Sequence, residues 1–222
     1  MDYQALADLL FPQVTETPEQ VEARFPQREL PEGAVVTRMA PSPTGFVHLG
    51  NLVQGTISER MAHQSGGVLF LRVEDTDAKR EVPGAVEVLI QTLEHYSIAF
   101  DEGATIDGDK GIYGPYRQRQ RASIYHVFAK KLVAEGKAYP CFCTEDELTA
   151  MREKQEAAKV NFGYYGEFAM WRDRPMEDIQ AELAAGHPWV LRFRSTGSIE
   201  NQFKFDDLVK GKLTITENDI DH

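Results

Sequence analysis

A histidine and a glycine follow a proline-rich turn early in the chain, in a position that suits the binding of a phosphate. The segment Arg38–Asn51 reads Arg-Met-Ala-Pro-Ser-Pro-Thr-Gly-Phe-Val-His-Leu-Gly-Asn. A helix starting there offers unpaired backbone N–H groups to an anion, and Gly50 lets the anion approach the backbone. His48 adds a side-chain donor, which suits a phosphate that gains negative charge during a reaction. A His-X-Gly alone is more often a plain turn with an exposed histidine, so the surrounding pattern must decide.

Two further sets of residues have types that could do chemistry. Cys141 and Cys143 are the only cysteines, too few for a disulfide framework, and their spacing suits half of a zinc site with four ligands. Basic residues cluster locally, which could form a surface for RNA, but spacing alone favours ordinary solvated helix faces. These clusters are Lys79–Arg80, then Arg117, Arg119 and Arg121, then Lys130–Lys131.

Strands and helices alternate around the histidine segment. Val35–Met39 predicts a buried strand, and the apolar run Val68–Val73 predicts a second strand in a sheet covered on both faces. A helix with one apolar stripe lies between them, and a second helix follows Pro83. The two stripes are Leu49, Val53, Ile57 and Met61, then Val86, Leu89, Ile90, Leu93 and Tyr96. This order predicts a parallel sheet, which binds ligands at the carboxyl ends of its strands, where His48 lies.

The remaining segments predict mainly helices. Residues 1–34 predict an extension with two short helices, the second capped by Thr17. Beyond a boundary near Gly111–Pro115, the pattern predicts helices over residues 118–135 and 144–159, a strand over residues 189–194, and a hairpin of residues 202–209 and 212–216. The sequence therefore predicts an α/β unit over residues 35–113 and a separate α+β unit over residues 114–222.

Composition limits the classes of protein. The chain has 222 residues, of which 42% are hydrophobic, enough for a core. No apolar run approaches the ~20 residues of a membrane span, and the start is acidic, unlike a signal peptide, so a soluble cytoplasmic protein with no membrane partner is expected. The net charge of −11 argues against indiscriminate binding to nucleic acid but leaves room for an RNA partner on a local basic surface. Nothing in the sequence indicates an oligomeric state.

Three blocks together resemble the glutamyl-tRNA synthetases, which are class I aminoacyl-tRNA synthetases. The first is Arg38–Asn51, whose His48-Leu-Gly-Asn51 is similar to the class I tetrapeptide His-Ile-Gly-His. The second is Leu71–Asp77, and the third is Tyr113–Arg119. The resemblance implies that residues 35–113 form the first half of a Rossmann-type catalytic domain. Residues 114–222 would then be an inserted connective unit that binds the tRNA acceptor stem.

The resemblance also implies roles for individual residues. Arg38 would pair with the side-chain carboxylate of glutamate, Glu74 would accept its α-ammonium group, and Ser42 and the backbone at Ala40 would line the amino-acid site. The ATP phosphates would be held by Thr44, Gly45, His48, Gly50 and Asn51, with His48 and Asn51 as the catalytic residues. The acceptor end of tRNA would contact Asp77, Lys79, Arg80, Arg117 and Arg119. The alternative for Arg38 and Glu74 is an ion pair at the strand ends.

The implied reaction has two steps. The α-carboxylate of glutamate attacks the α-phosphorus of ATP to give glutamyl-adenylate, and a terminal ribose hydroxyl of tRNA then takes the glutamyl group. ATP is a substrate and Mg²⁺ assists, whereas zinc is not expected. Members of the family that hold zinc add a cysteine after a Tyr-X-X-X segment, and Phe168 stands at that position here. Residues 1–222 alone are expected to be inactive, because they contain no lysine-bearing loop that resembles that of the family. They are also expected to expose an apolar sheet edge.

Other functions share some of these features. Within class I, a glutaminyl-tRNA synthetase is the nearest alternative, but Glu74 and the Ala-Pro-Ser-Pro-Thr-Gly string favour glutamate. A paralogue that glutamylates a modified tRNA base shares the same blocks. A non-catalytic module that binds a nucleotide or RNA is the alternative from outside the enzymes.

Overall fold

A computed structural model describes residues 1–45, 47–195, 197–198 and 200–217. Its contacts divide the chain into two compact units, one of residues 16–127 and one of residues 1–15 with residues 128–222. The predicted bounds at residues 34 and 113 describe domain roles, which a division by contacts does not test, so they stay a prediction. No helix in the described ranges is long and apolar enough to cross a membrane.

The unit of residues 16–127 contains a four-stranded sheet. Strands β1 (Val36–Met39), β2 (Val68–Leu71) and β3 (Glu102–Thr105) are parallel, and β4 (Gly108–Lys110) pairs antiparallel with β3 at one edge. The connecting helices are α3 (Leu49–Gln64) and α4 (Ala85–His95), preceded by the short α2 (Pro18–Ala23). The prediction of an α/β fold with a Rossmann-type parallel sheet is confirmed. Strands β3 and β4 were not predicted, because their sequence lacks an apolar run.

The core of this unit lies between the sheet and its helices. Leu69, Leu71 and Leu93 are fully buried, and four of the five predicted α4 positions are buried with them. Tyr96, the fifth, is 58% exposed just beyond the end of α4. Helix α3 ends as predicted, because Gly66 adopts a φ of 71° and the Gly67 N–H donates to the Ala62 carbonyl at 2.8 Å.

Burial in this unit differs at two elements from what their apolar patterns suggest. The apolar stripe of α3 is exposed, since Leu49, Val53, Ile57 and Met61 keep between 50% and 75% of their accessible surface. Helix α3 instead packs through Gly55, Glu59 and Ala62. Strand β1 is an edge strand of the described sheet rather than a buried one, so Val36 is 42% exposed.

The other unit is α+β, as predicted. It contains α1 (Tyr3–Leu10), α6 (Glu145–Ala158), α7 (Met176–Ala184) and the pair of strands β5 (Ala138–Cys141) and β6 (Val190–Phe193). Helix α5 (Ala122–Ala134) crosses the division between the units. The hairpin was predicted, and it consists of β7 (Gln202–Asp207) and β8 (Gly211–Thr216). Leu6 and Ala7 of α1 are fully buried in the same cluster as Val133 and Ile179.

Candidate functional site

The loop after β1 borders a cavity of about 360 Å³ at the carboxyl end of that strand. Five residues that the sequence assigned to glutamate or ATP line it, namely Ser42, Thr44, Gly45, His48 and Asn51. Apolar side chains also line it, including Val73 and the helix α4 residues Ala85, Val86 and Leu89. These four residues were not predicted as part of the site, although the stripe of α4 placed two of them in the core. The lining therefore combines hydrogen-bonding groups with apolar side chains.

His48 and Asn51 cap helix α3. The Gly50 N–H donates to His48 Nδ1 at 3.1 Å, and the His48 N–H donates to Asn51 Oδ1 at 3.1 Å. Because His48 Nδ1 accepts this hydrogen bond, we assign the ring proton to Nε2, which can then donate to a ligand. A Cβ atom at Gly50 would lie 2.9 Å from His48 Cε1, so the cap itself requires glycine.

The cap corrects one step of the sequence argument. The helix start was predicted to offer unpaired N–H groups, but the Gly50 N–H is bound to His48 and the Asn51 N–H donates to the His48 carbonyl at 2.9 Å. The donors that remain for an anion at this point include the imidazole Nε2–H and the amide of Asn51.

Arg38 and Glu74 lie beside each other at the ends of neighbouring parallel strands. Arg38 Nη2 lies 3.8 Å from Glu74 Oε1, which is longer than a hydrogen bond, and the two side chains are 45% and 34% exposed. The Glu74 N–H donates to the Pro41 carbonyl at 2.9 Å, so the segments after β1 and β2 run side by side. A loose, exposed pair contributes little stability, and both groups stay accessible to a ligand. Neither residue nor Ala40 lines the cavity.

The five residues predicted to contact tRNA differ in their surroundings. Lys79 is exposed, and Arg117 lies in a segment that bridges to Val73. Arg80 Nε lies 2.5 Å from Asp77 Oδ2, and this hydrogen bond lowers the pKa of Asp77 below its usual value. Arg119 is bound within the unit, because its Nη2 lies 2.8 Å from Glu81 Oε2 and also donates to the Asp75 carbonyl.

Asp75 was missed by the sequence reasoning. Its residue is 8% exposed, and its Oδ1 accepts from the Arg119 N–H at 2.8 Å. Asp75 therefore fixes residue 119 next to the segment that carries Glu74. The only signal in the sequence was that Asp75 directly follows Glu74. The contact itself could not be predicted, because Arg119 lies 44 positions further along the chain.

The cysteine pair lies in the α+β unit. Cys143 Sγ is 3.3 Å from the Tyr164 hydroxyl, which also accepts from the Trp171 N–H at 3.0 Å. Burial raises the pKa of Cys143 to about 11, so its thiol is protonated near neutral pH. Within the described ranges no group of three or more histidine, cysteine, aspartate or glutamate residues is arranged to hold a metal ion. The lining of the cavity at His48 likewise contains no carboxylate to ligate Mg²⁺.

Comparisons with known proteins agree with the fold and with the three sequence blocks. A family model described as "tRNA synthetases class I (E and Q), catalytic domain" matches residues 34–222. The chain is 52% identical to a glutamate–tRNA ligase of Acetivibrio thermocellus over 219 residues and 48% identical to one of Clostridium perfringens. These alignments cover 98% of the chain and 40% of each relative.

Solved structures give the same result. A crystal structure of a glutamate tRNA ligase from Elizabethkingia meningosepticum in complex with its amino acid has a TM-score of 0.72 and 33% identity. The match covers 83% of this chain and 36% of that one. The glutamate-tRNA synthetase of Elizabethkingia anophelis is similar, with a TM-score of 0.73. Because the family model covers most of the chain, the protein belongs to the class I tRNA synthetases for glutamate and glutamine, in their catalytic domain.

Proposed function

We propose that the chain carries the glutamate- and ATP-binding part of a glutamate–tRNA ligase. The observation that carries the proposal is the cavity at the end of β1, which gathers Ser42, Thr44, Gly45, His48 and Asn51. The relatives named above support glutamate as the amino acid. The chain spans about 40% of their length, so the reaction is assigned to the protein in its full natural length.

In this proposal the two substrates are divided between residues that line the cavity and residues at or just beyond the ends of β1 and β2. Arg38 pairs with the side-chain carboxylate of glutamate, and Glu74 accepts its α-ammonium group, because the two opposite charges are accessible beside each other. Ser42 and the Ala40 backbone complete the amino-acid site. His48 donates from Nε2 to a phosphate oxygen of ATP. The same phosphates lie against Thr44, Gly45, Gly50 and Asn51.

The first chemical step needs no nucleophile from the protein. The α-carboxylate of glutamate attacks the α-phosphorus of ATP, and pyrophosphate leaves. The protein lowers the barrier by positioning the two substrates and by placing a hydrogen-bond donor at the negative charge that develops on the phosphate. The described lining of the cavity has no carboxylate to hold Mg²⁺, so no residue of this chain is assigned to the metal. The ribose hydroxyl at the 3′ end of tRNA then takes the glutamyl group.

The tRNA contacts and domain roles belong to the proposal as well. Lys79 and Arg117 are the better candidates for the acceptor end, because Asp77, Arg80 and Arg119 already have partners within the unit. Residues 35–113 would be the first half of the catalytic domain, and residues 114–222 the inserted connective unit.

The experiment is pyrophosphate exchange by the full-length protein in the presence of tRNA. We expect exchange with glutamate and at least tenfold slower exchange with glutamine, because Arg38 pairs with a carboxylate and not with an amide. Exchange that is equally fast with glutamine would contradict the assignment of the amino acid. No exchange with either amino acid would contradict the activity itself.

A further inference from the structure

A second cavity, of about 390 Å³, lies on the other face of the sheet. Phe70 and Arg72 alternate along the β2 segment with the buried residues Leu69, Leu71 and Val73, so the two sets of side chains lie on opposite faces of the sheet. The cavity shares no lining residue with the one at His48. It belongs to the unit of residues 16–127 and is a separate place on that unit.

Aromatic rings and guanidinium groups make up its lining. The rings are Phe25, Phe70, Tyr113 and Tyr116, and the cations are Arg28, Arg72 and Arg121. Arg28 Cζ stacks 3.7 Å from the centroid of the Tyr113 ring, and Arg121 Cζ lies 5.6 Å from that of Phe25. Such faces attract flat rings as well as cations.

The charges of this lining are not balanced. Arg28 pairs with Glu102 at 2.8 Å, and the hydroxyl of Tyr116 donates to the same carboxylate at 3.0 Å. Burial is the main cause that raises the pKa of Tyr116 to about 12, and the neighbouring Glu102 carboxylate also raises it. The phenol is therefore neutral near pH 7 and adds no negative charge. Arg72 donates to the Tyr125 hydroxyl and Arg121 to the carbonyls of residues 113 and 115, with no carboxylate bound to either among the described residues. Two positive charges are left without a counter-charge.

Unsatisfied donors concentrate at the same place. Five buried side-chain nitrogens lack an acceptor in the described part of the chain, and three of them are Arg28 Nη1, Arg72 Nε and Arg121 Nε. Buried donors without partners and partly buried cations without counter-charges each cost free energy, and a bound anion compensates the charge. The guanidinium fork matches the oxygens of a carboxylate or phosphate.

We propose that this cavity binds a small organic anion in which a carboxylate or phosphate monoester is attached to a flat aromatic ring. The oxyanion lies against Arg72 and Arg121, and the ring lies against Phe25, Phe70 and Tyr113. The volume is near the lower end of the range for small-molecule sites, about 300–1,000 Å³.

The test uses this 222-residue chain and two probes, 2-naphthoate and phenyl phosphate, titrated to about 5 mM by calorimetry. We expect saturable binding of at least one probe. Cyclohexanecarboxylate, which lacks the flat ring, and 2-naphthalenemethanol, which lacks the charge, should each bind at least tenfold more weakly. No saturable binding of either probe overturns the proposal.

Variants locate the site. R72M and R121M should each weaken binding at least tenfold, whereas R60M, which removes the same charge from an arginine that is 65% exposed on α3, should leave the Kd within twofold. If R72M does not fold, R72K keeps the charge but not the fork and must still weaken binding. A Kd within twofold of the parent in R72M and R121M, with unchanged melting temperatures, shows that the probes bind elsewhere.

Discussion

At the scale of single residues, Arg38 is the sharpest test of substrate choice. In the full-length protein, Arg38→Ala should reduce kcat/KM for glutamate at least tenfold and change ATP binding little, since a hydrogen bond to a charged group contributes about 1.5–3 kcal/mol. Arg38→Lys should also be poor, because a point charge cannot reproduce the fork. The measurement is pre-steady-state adenylate formation, with Arg60→Ala as the exposed control. Unchanged use of glutamate by Arg38→Ala removes Arg38 from the site.

His63 is a residue whose contribution to stability should depend on pH. Its Nδ1 lies 2.8 Å from Glu59 Oε1 and its Nε2 lies 2.9 Å from Asp101 Oδ2. These carboxylates, Asp101 first and then Glu59, raise the pKa of His63 above its ordinary value. The folded state therefore holds the proton more tightly than the unfolded state does. The stabilisation is complete below the unfolded pKa of about 6.5 and is lost as pH rises through the raised folded value.

The matching experiment compares melting temperatures between pH 5.5 and 8.5. The loss of melting temperature in His63→Gln should be largest at the acid end and shrink toward the alkaline end. When His63→Gln is made together with Asp101→Asn, its effect on the melting temperature should depend less on pH. The reason is that Asp101, the main cause of the raised pKa of His63, has lost its charge. A loss that is constant across the range would show that the histidine is not charged in the folded protein.

At the scale of elements, Asp75 joins the segment after β2 to the start of the turn before α5. Asp75→Ala leaves the Arg119 N–H without its acceptor, so the free energy of unfolding should fall by about 1.5–3 kcal/mol. Urea denaturation of the chain measures this loss. Asp77→Ala, which removes a more exposed carboxylate paired with Arg80, is the matched control and should cost clearly less. Equal losses would mean that the Asp75 contact is no more than a surface pair.

The segment that follows β5 gives a prediction about metal content. Cys141 and Cys143 supply two of the four ligands that structural zinc requires, and the Tyr164 hydroxyl already contacts Cys143. Elemental analysis of protein purified without chelators should therefore find far less than one zinc per chain. One zinc per chain, lost in Cys143→Ser, would show that further ligands exist.

At the scale of the whole molecule, the exposed stripe of α3 should govern solution behaviour. Four apolar side chains, each at least half exposed, form a contiguous patch of the kind that promotes association. The double substitution Val53→Ser and Ile57→Ser should reduce self-association and dye binding, measured by light scattering and anilinonaphthalene sulfonate fluorescence, without lowering the melting temperature. Leu93→Ser, at a fully buried position of α4, is the contrast and should cost about 2–5 kcal/mol. A melting temperature lowered by the double substitution would mean that the stripe is packed.

Much of the local structure followed from the sequence, because its signals act over a few residues. Thr17 caps α2 as its spacing predicted, and the apolar run that begins at residue 68 forms β2. Ser42 and Thr44 lie between β1 and α3, and His48 caps the start of α3, as the strand–turn–helix pattern required. Strands β3 and β4 gave no such signal. Residues 102–105 contain a glutamate, a glycine and a threonine, and their pairing with β2 and β4 determines their conformation.

The tertiary structure decided the rest, since contacts between distant residues leave no local pattern. The periodicity that identified α3 could not tell which of its faces is buried, and the stripe is exposed while Gly55, Glu59 and Ala62 pack inward. The Asp75–Arg119 contact and the cavity that joins Arg28, Arg72 and Arg121 exist only once the chain has folded back over dozens of residues. The sequence determined which residues could bind an anion, and folding decided which of them meet and which are neutralised by a neighbour.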